Sequence, residues 1–162
     1  AVGDFPVEAV ETMATIARRI EKDYPQRKID SHLPCTIPNA LSGAVSTIAS
    51  QLNAAAILPL TKSGATAHNV SKFRPAAPIL AITPEQSVAC KLQLVWGVTP
   101  LVVEQKSTTT QTFAAAMETA KSLELLKQGD LVVQTAGTHT GVSGSTDLVK
   151  VGIVDAKTDS LI

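Results

Sequence analysis

Aromatic side chains are scarce in this sequence. Only 3% of its 162 residues are Phe, Trp or Tyr, although 44% are hydrophobic. A core must therefore be built from Ala, Val, Ile and Leu, and such small side chains suit helices lying close on a sheet. An excess of either charge is also absent. Fourteen basic and fourteen acidic residues give a formal net charge of 0, which argues against nucleic acid or an anionic membrane as a main partner. Any anion site has to be local. Two cysteines, Cys35 and Cys90, make no disulfide framework, and no Cys/His cluster has zinc spacing, so a cytoplasmic origin is the default expectation. No apolar run approaches the ~20 residues of a membrane-spanning helix, and no signal-peptide pattern is present. Asn69-Val70-Ser71 fits a glycosylation sequon but falls inside a predicted helix and is discounted.

Catalytic signatures are missing too. There is no Gly-x-x-x-x-Gly-Lys-Ser/Thr, no Gly-x-Gly-x-x-Gly after a strand, and no Gly-x-Ser-x-Gly elbow or metalloprotease motif. The three histidines are scattered: His32 in a linker, His68 on a helix, and only His139 in a candidate site. The carboxylates show no pairing suited to acid–base work. No catalytic residue and no metal ligand is assigned.

What is present is an alternation of strands and helices. Pro6 opens a first helix, with Asp4 placed to cap it and a stripe of Val7, Val10, Met13, Ala14, Ala17 and Ile20. Residues 25–37 hold prolines and no periodicity and read as a linker. Pro38 begins a second helix, striped by Leu41, Val45, Ile48 and Leu52. Ala54–Leu60 is predicted as the first strand, Pro78–Ile82 as the second, Leu101–Val103 as the third, Leu131–Val133 as the fourth and Leu148–Val154 as an edge strand. Between them, Ala67–Phe73 is compatible with a helix. Capping-box spacings at Thr83–Gln86 and Thr108–Gln111 open two more, the first running to about Val95 and the second to Gly129. Such alternation implies an α/β fold: a three-layer sandwich with a mostly parallel, roughly five-stranded sheet and helices on both faces. Ligands then belong at the C-terminal ends of the strands.

Two loops at that end carry chemistry. Thr61-Lys62-Ser63-Gly64-Ala65-Thr66 follows the first strand and precedes a helix, an arrangement that gathers backbone N–H groups toward an anion. The hydroxyls of Thr61, Ser63 and Thr66 add donors, Lys62 a point charge, and Gly64 close backbone approach. An ordinary hydroxyl-rich connection is an equally good reading of this stretch alone. The second loop, Thr135 to Thr146, follows the fourth strand with three glycines and six hydroxyls. It contains Gly137, Thr138, His139, Thr140, Gly141, Ser143, Gly144 and Ser145, and its composition also describes a plain hairpin connection.

Taken in order, Thr61 to Gly64, Ala67 to Thr83, Leu94-Val95-Trp96-Gly97-Val98, Gly129 to Val133 and Gly144 to Val151 resemble the C-terminal regulatory domain of pyruvate kinase. The likeness runs from about Pro38 to Val154, while Gly3 to Val10 resembles the last helix of that family's catalytic barrel. The implied organisation is a barrel-end helix over residues 1–24, a linker over 25–37 and the regulatory domain over 38–162, a fragment of a longer enzyme. The resemblance implies a parent that transfers phosphate from phosphoenolpyruvate to ADP with Mg²⁺ and K⁺, the catalytic residues lying outside this chain. It implies for this chain no cofactor, a phosphorylated effector (a sugar phosphate or AMP), the rest of the parent chain as partner, and assembly into a homotetramer. The family's phosphate pocket maps onto Thr61, Lys62, Ser63, Gly64, Ala65 and Thr66, and its effector loop onto Gly137 through Ser145. Two departures bear on the ligand. Ala65 stands where many members have Arg or Lys, and Thr138-His139-Thr140 where the fructose-bisphosphate type often has Trp and Arg. Fewer cations suit a monophosphate as well as a bisphosphate, and leave open a module that only assembles.

Overall fold

The structure, a computed structural model, describes residues 2–23, 36–137 and 146–154. The predicted linker, save its last two residues, and loop positions 138–145 lie outside those residues. The described elements are α1 (Pro6–Asp23), α2 (Ile37–Gln51), β1 (Ala56–Pro59), α3 (Ala65–Ser71), β2 (Ile79–Thr83), α4 (Gln86–Leu92), β3 (Val98–Val102), α5 (Thr109–Ser122), β4 (Leu131–Gly137) and β5 (Thr146–Ile153).

The strands form one sheet in the order β3-β2-β1-β4-β5. The first four are parallel, and β5 runs antiparallel to β4 along one edge. Side-chain alternation along the strands divides the core into two sides. Ala56, Leu58, Leu80, Ile82, Val132 and Ala136 face α5, whose Phe113, Ala116 and Ala120 are buried against them. Ile57, Ile79 and Val133 face the other way, onto Val45 and Ala49 of α2 and Val70 of α3. Ala81 on that side meets Ala67 of α3 and Leu92 of α4. The three-layer α/β sandwich expected from the alternation is the one observed. Close approach is visible where Gly43 of α2 leaves room for Phe73: a Cβ there would stand 3.2 Å from the ring.

Local details depart from the sequence reading for identifiable reasons. The capping box at Thr83 does not form. Thr83 is the fully buried last residue of β2, the helix N-cap is Glu85 without a side-chain bond, and α4 ends at Leu92 rather than Val95. Thr108 does cap its helix, its hydroxyl accepting from the Gln111 N–H at 3.2 Å. β3 begins at Val98 and includes Pro100, which is tolerated because β3 is an edge strand. β4 continues past Val133 through Gln134 and Thr135, whose polar atoms are buried but partnered. Gln134 Nε2 donates to Met117 Sδ at 3.6 Å, and Thr135 Oγ1 donates to the Leu148 carbonyl at 2.9 Å. α5 stops at Ser122, because Glu124 takes a positive φ of 57°. Leu126 still reaches the core beyond the helix, 3% exposed.

α1 is amphipathic as expected, but its apolar stripe is not covered by the described residues. Val7, Val10, Met13 and Ile20 are all more than half exposed. A polar tie links this helix to the domain: Trp96 Nε1 donates to Glu21 Oε1 at 3.0 Å, and the Arg74 guanidinium lies over the indole, 4.9 Å from its centroid. No helix among the described residues is long and apolar enough to cross a membrane.

Candidate functional site

In the sheet order, β2 lies on one side of β1 and β4 on the other. The strand order therefore reverses at β1, and in an open, largely parallel sheet a ligand belongs at such a reversal, in the crevice outside the C-terminal ends of β1 and β4. Both loops singled out in the sequence start there.

The first loop is fixed from below by the ladder. The Leu60 N–H donates to the Thr135 carbonyl at 2.8 Å and the Thr61 N–H to the Ile82 carbonyl at 2.8 Å, so the turn is pinned to β4 and β2 at once. Thr61 then closes it, its Oγ1 accepting from the Gly64 N–H at 2.9 Å. Gly64 caps α3 with φ 89° and ψ −9°, left-handed backbone that favours glycine. A Cβ there would stand 3.3 Å from Leu92 Cδ2 and 3.5 Å from Val88 Cγ1. Gly64→Ala should therefore cost about 1–2 kcal/mol for the left-handed backbone alone. Urea unfolding would read this as a lowered midpoint at unchanged slope, and an unchanged midpoint would show that the turn relaxes freely.

The six residues assigned to the phosphate turn differ in exposure, and Gly64 at its centre is buried. Thr61 and Thr66 are buried, at 5% and 6% exposure. Their hydroxyls shape the site: one closes the turn, and Thr66 Oγ1 lies 2.9 Å from Thr146 Oγ1. Lys62 and Ser63 are exposed, and Ala65 is half-buried with no polar group. Of the second loop, Gly137 ends β4 and is paired with Thr146 across a register irregularity at Ala136/Gly137. Bulges of this kind occur beside binding sites, where they redirect the chain. Thr138, His139, Thr140, Gly141, Ser143, Gly144 and Ser145 lie outside the described residues. Thr146, which sequence reasoning placed in the loop but not among the site residues, is what joins the two loops. Its only signal was its position at the threshold of an edge strand.

The exposed polar side chains of the first turn are the Lys62 ammonium and the Ser63 hydroxyl. Among the described residues no group of three or more His, Cys, Asp or Glu could hold a metal ion. The Glu104 carboxyl is held below its ordinary range by a 2.6 Å hydrogen bond from Lys106 and by the charge of that lysine. It follows β3, two strands away from the crevice. Its depressed value means that the small stabilisation is present above the ordinary carboxylate range and fades as pH falls, a minor effect for so exposed a pair.

Comparison with known proteins decides the family. The family model described as pyruvate kinase, alpha/beta domain, matches residues 39–152. The chain belongs to this pyruvate kinase domain family. It is 56% identical over 156 residues to pyruvate kinase 2 of Synechocystis, covering 96% of the chain and 26% of that protein. To the pyruvate kinase of Geobacillus stearothermophilus it is 42% identical over 158 residues, 95% of the chain and 27% of the relative. To that of Clostridium acetobutylicum it is 38% identical over 159 residues, 96% and 34% respectively. The chain thus spans between a quarter and about a third of these pyruvate kinases, and the part it matches is the alpha/beta domain.

Proposed function

We propose that this chain is the regulatory and assembly portion of a pyruvate kinase, taking a phosphorylated small molecule in the crevice between the loops after β1 and β4. The observation that carries the proposal is the Thr66–Thr146 contact at 2.9 Å, which holds the first turn against the end of the second loop. A ligand there would meet the exposed Lys62 and Ser63 close to Gly137 and Thr146, the described ends of the second loop. With Ala65 in the turn, Lys62 is its only charged side chain, which favours a monophosphate, such as a sugar monophosphate or AMP, over a bisphosphate. Phosphate transfer from phosphoenolpyruvate to ADP would belong to the remainder of the parent chain, as would the Mg²⁺ and K⁺ it uses. The uncovered stripe of α1 fits packing against that remainder, and the whole would work in the cytoplasm.

The test is a thermal shift of the chain with fructose 1,6-bisphosphate, glucose 6-phosphate, ribose 5-phosphate and AMP, with Ser63→Ala alongside. A ligand at about a hundred times its Kd stabilises the native state by ~2.7 kcal/mol, which corresponds to a rise of roughly 5–10 °C. The rise should shrink or vanish in Ser63→Ala. No rise with any of the four would remove the effector role.

An assembly-only reading rests on a separate observation. β5 pairs with β4 on one side alone among the described residues, leaving an edge on which a second copy could add a strand. That reading requires self-association, and sedimentation of the chain as a monomer at micromolar concentration would eliminate it.

A further inference from the structure

A concavity of about 520 Å³ lies between α3 and α4. It shares Ser63, Gly64 and Ala65 with the first turn, but neither Thr61, Thr66, Gly137 nor Thr146 lines it. Its apolar lining is Val88 and Leu92 of α4 and Val95 beyond it. Its walls carry His68, Lys72 and Lys91, and none of the lining residues is a carboxylate. In a chain of net charge 0 that is a local excess of positive groups. Lys72 is oriented by a 2.7 Å bond from its Nζ to Asn69 Oδ1, and among the described residues neither lysine forms a salt bridge. The volume falls in the ordinary range for small-molecule sites, ~300–1,000 Å³, which combine an apolar lining with a few polar groups that fix orientation.

We infer that this groove binds a phosphate monoester whose other half is a flat, largely apolar ring. The ring would lie on Val88, Leu92 and Val95, and the phosphate would be held by Lys72 and Lys91 with His68 in reach. A plain sugar phosphate lacks the apolar half, and a neutral ring lacks the anion. Because the groove shares Ser63, Gly64 and Ala65 with the turn after β1, its occupancy would bear on that turn. The inference stands independently of the effector reading.

The experiment is backbone-amide NMR titration of the chain with phenyl phosphate, with inorganic phosphate and ribose 5-phosphate in parallel. The expected result is saturable shifts over residues 68–72 and 88–95 with phenyl phosphate, and markedly weaker ones there with the two compounds lacking the ring. Lys72→Ala and Lys91→Ala, both exposed positions, should each weaken binding about tenfold by removing one charge-assisted contact. Three results would overturn the inference: shifts confined to residues 61–66, 137 and 146; equal perturbation by inorganic phosphate; or undiminished affinity in both lysine variants. The first would leave the effector crevice supported while removing the groove, so the two sites are separately testable.

Discussion

Ile57→Ala should remove about 3 kcal/mol of stability and lower the melting temperature by roughly 10 °C. Ile57 is fully buried at the centre of β1, the strand between β2 and β4. It packs in one cluster with Val45 and Ala49 of α2, Val70 of α3, Ile79 of β2 and Val133 of β4. Truncation removes its transfer free energy and leaves a cavity between two layers whose backbones are pinned by the parallel ladder, so collapse into the space is restricted. For a domain of ordinary marginal stability, ~5–15 kcal/mol, this is a large fraction of the total. Leu94→Ala supplies the contrast. Leu94 is 92% exposed, and its loss should change stability by no more than about 0.5 kcal/mol. Calorimetry of both variants checks the pair. A loss under about 1 kcal/mol for Ile57→Ala would contradict a sheet centred on β1.

The layer architecture was legible because the strands are short apolar runs, Ala56 to Pro59 and Ile79 to Thr83, interrupted by helix-period segments. Two-sided burial makes such strands uniformly hydrophobic, and that pattern survives in a single sequence. The limits of β4 were not legible. Gln134 and Thr135 look like the end of a strand, and only the partners waiting on Met117 and at Leu148 make their burial affordable. Nor could spacing distinguish Thr83 from Thr108. Both stand three residues before a glutamine, yet the ladder to β3 claims Thr83 and nothing claims Thr108. The turn after β1 was recognisable from Gly64 and its hydroxyl neighbours, but not the division of labour within it. Which threonines are buried depends on β5 arriving 80 residues later to meet Thr66. The groove between α3 and α4 left no motif at all. Its lining follows an i, i+3, i+4, i+7 spacing along α3 to Lys72 just past its end and along α4 to Val95 beyond it, and such rows read as an ordinary helical face until the neighbouring helix is placed.

The Thr66–Thr146 pair offers the second large effect, and one that single substitutions alone would misjudge. Thr66→Val leaves the Thr146 hydroxyl, 3% exposed, without its partner. Burying an unsatisfied hydroxyl should cost about 1–3 kcal/mol, and Thr146→Val should cost a similar amount by stranding Thr66. The double variant replaces both hydroxyls by methyl groups of nearly the same shape, so most of the loss should be recovered. Denaturant unfolding of the four proteins then gives a coupling energy on the order of 1–2 kcal/mol, with the double variant more stable than the sum of the single losses allows. The same four proteins separate architecture from ligand contact. If the crevice needs only the two loops held together, the double variant, with its stability largely restored, keeps the ligand-induced rise in melting temperature. If a threonine hydroxyl touches the phosphate, stability returns while the rise does not. A coupling below about 0.3 kcal/mol would mean that the two positions act independently, and the first turn would then have no lasting attachment to the start of β5.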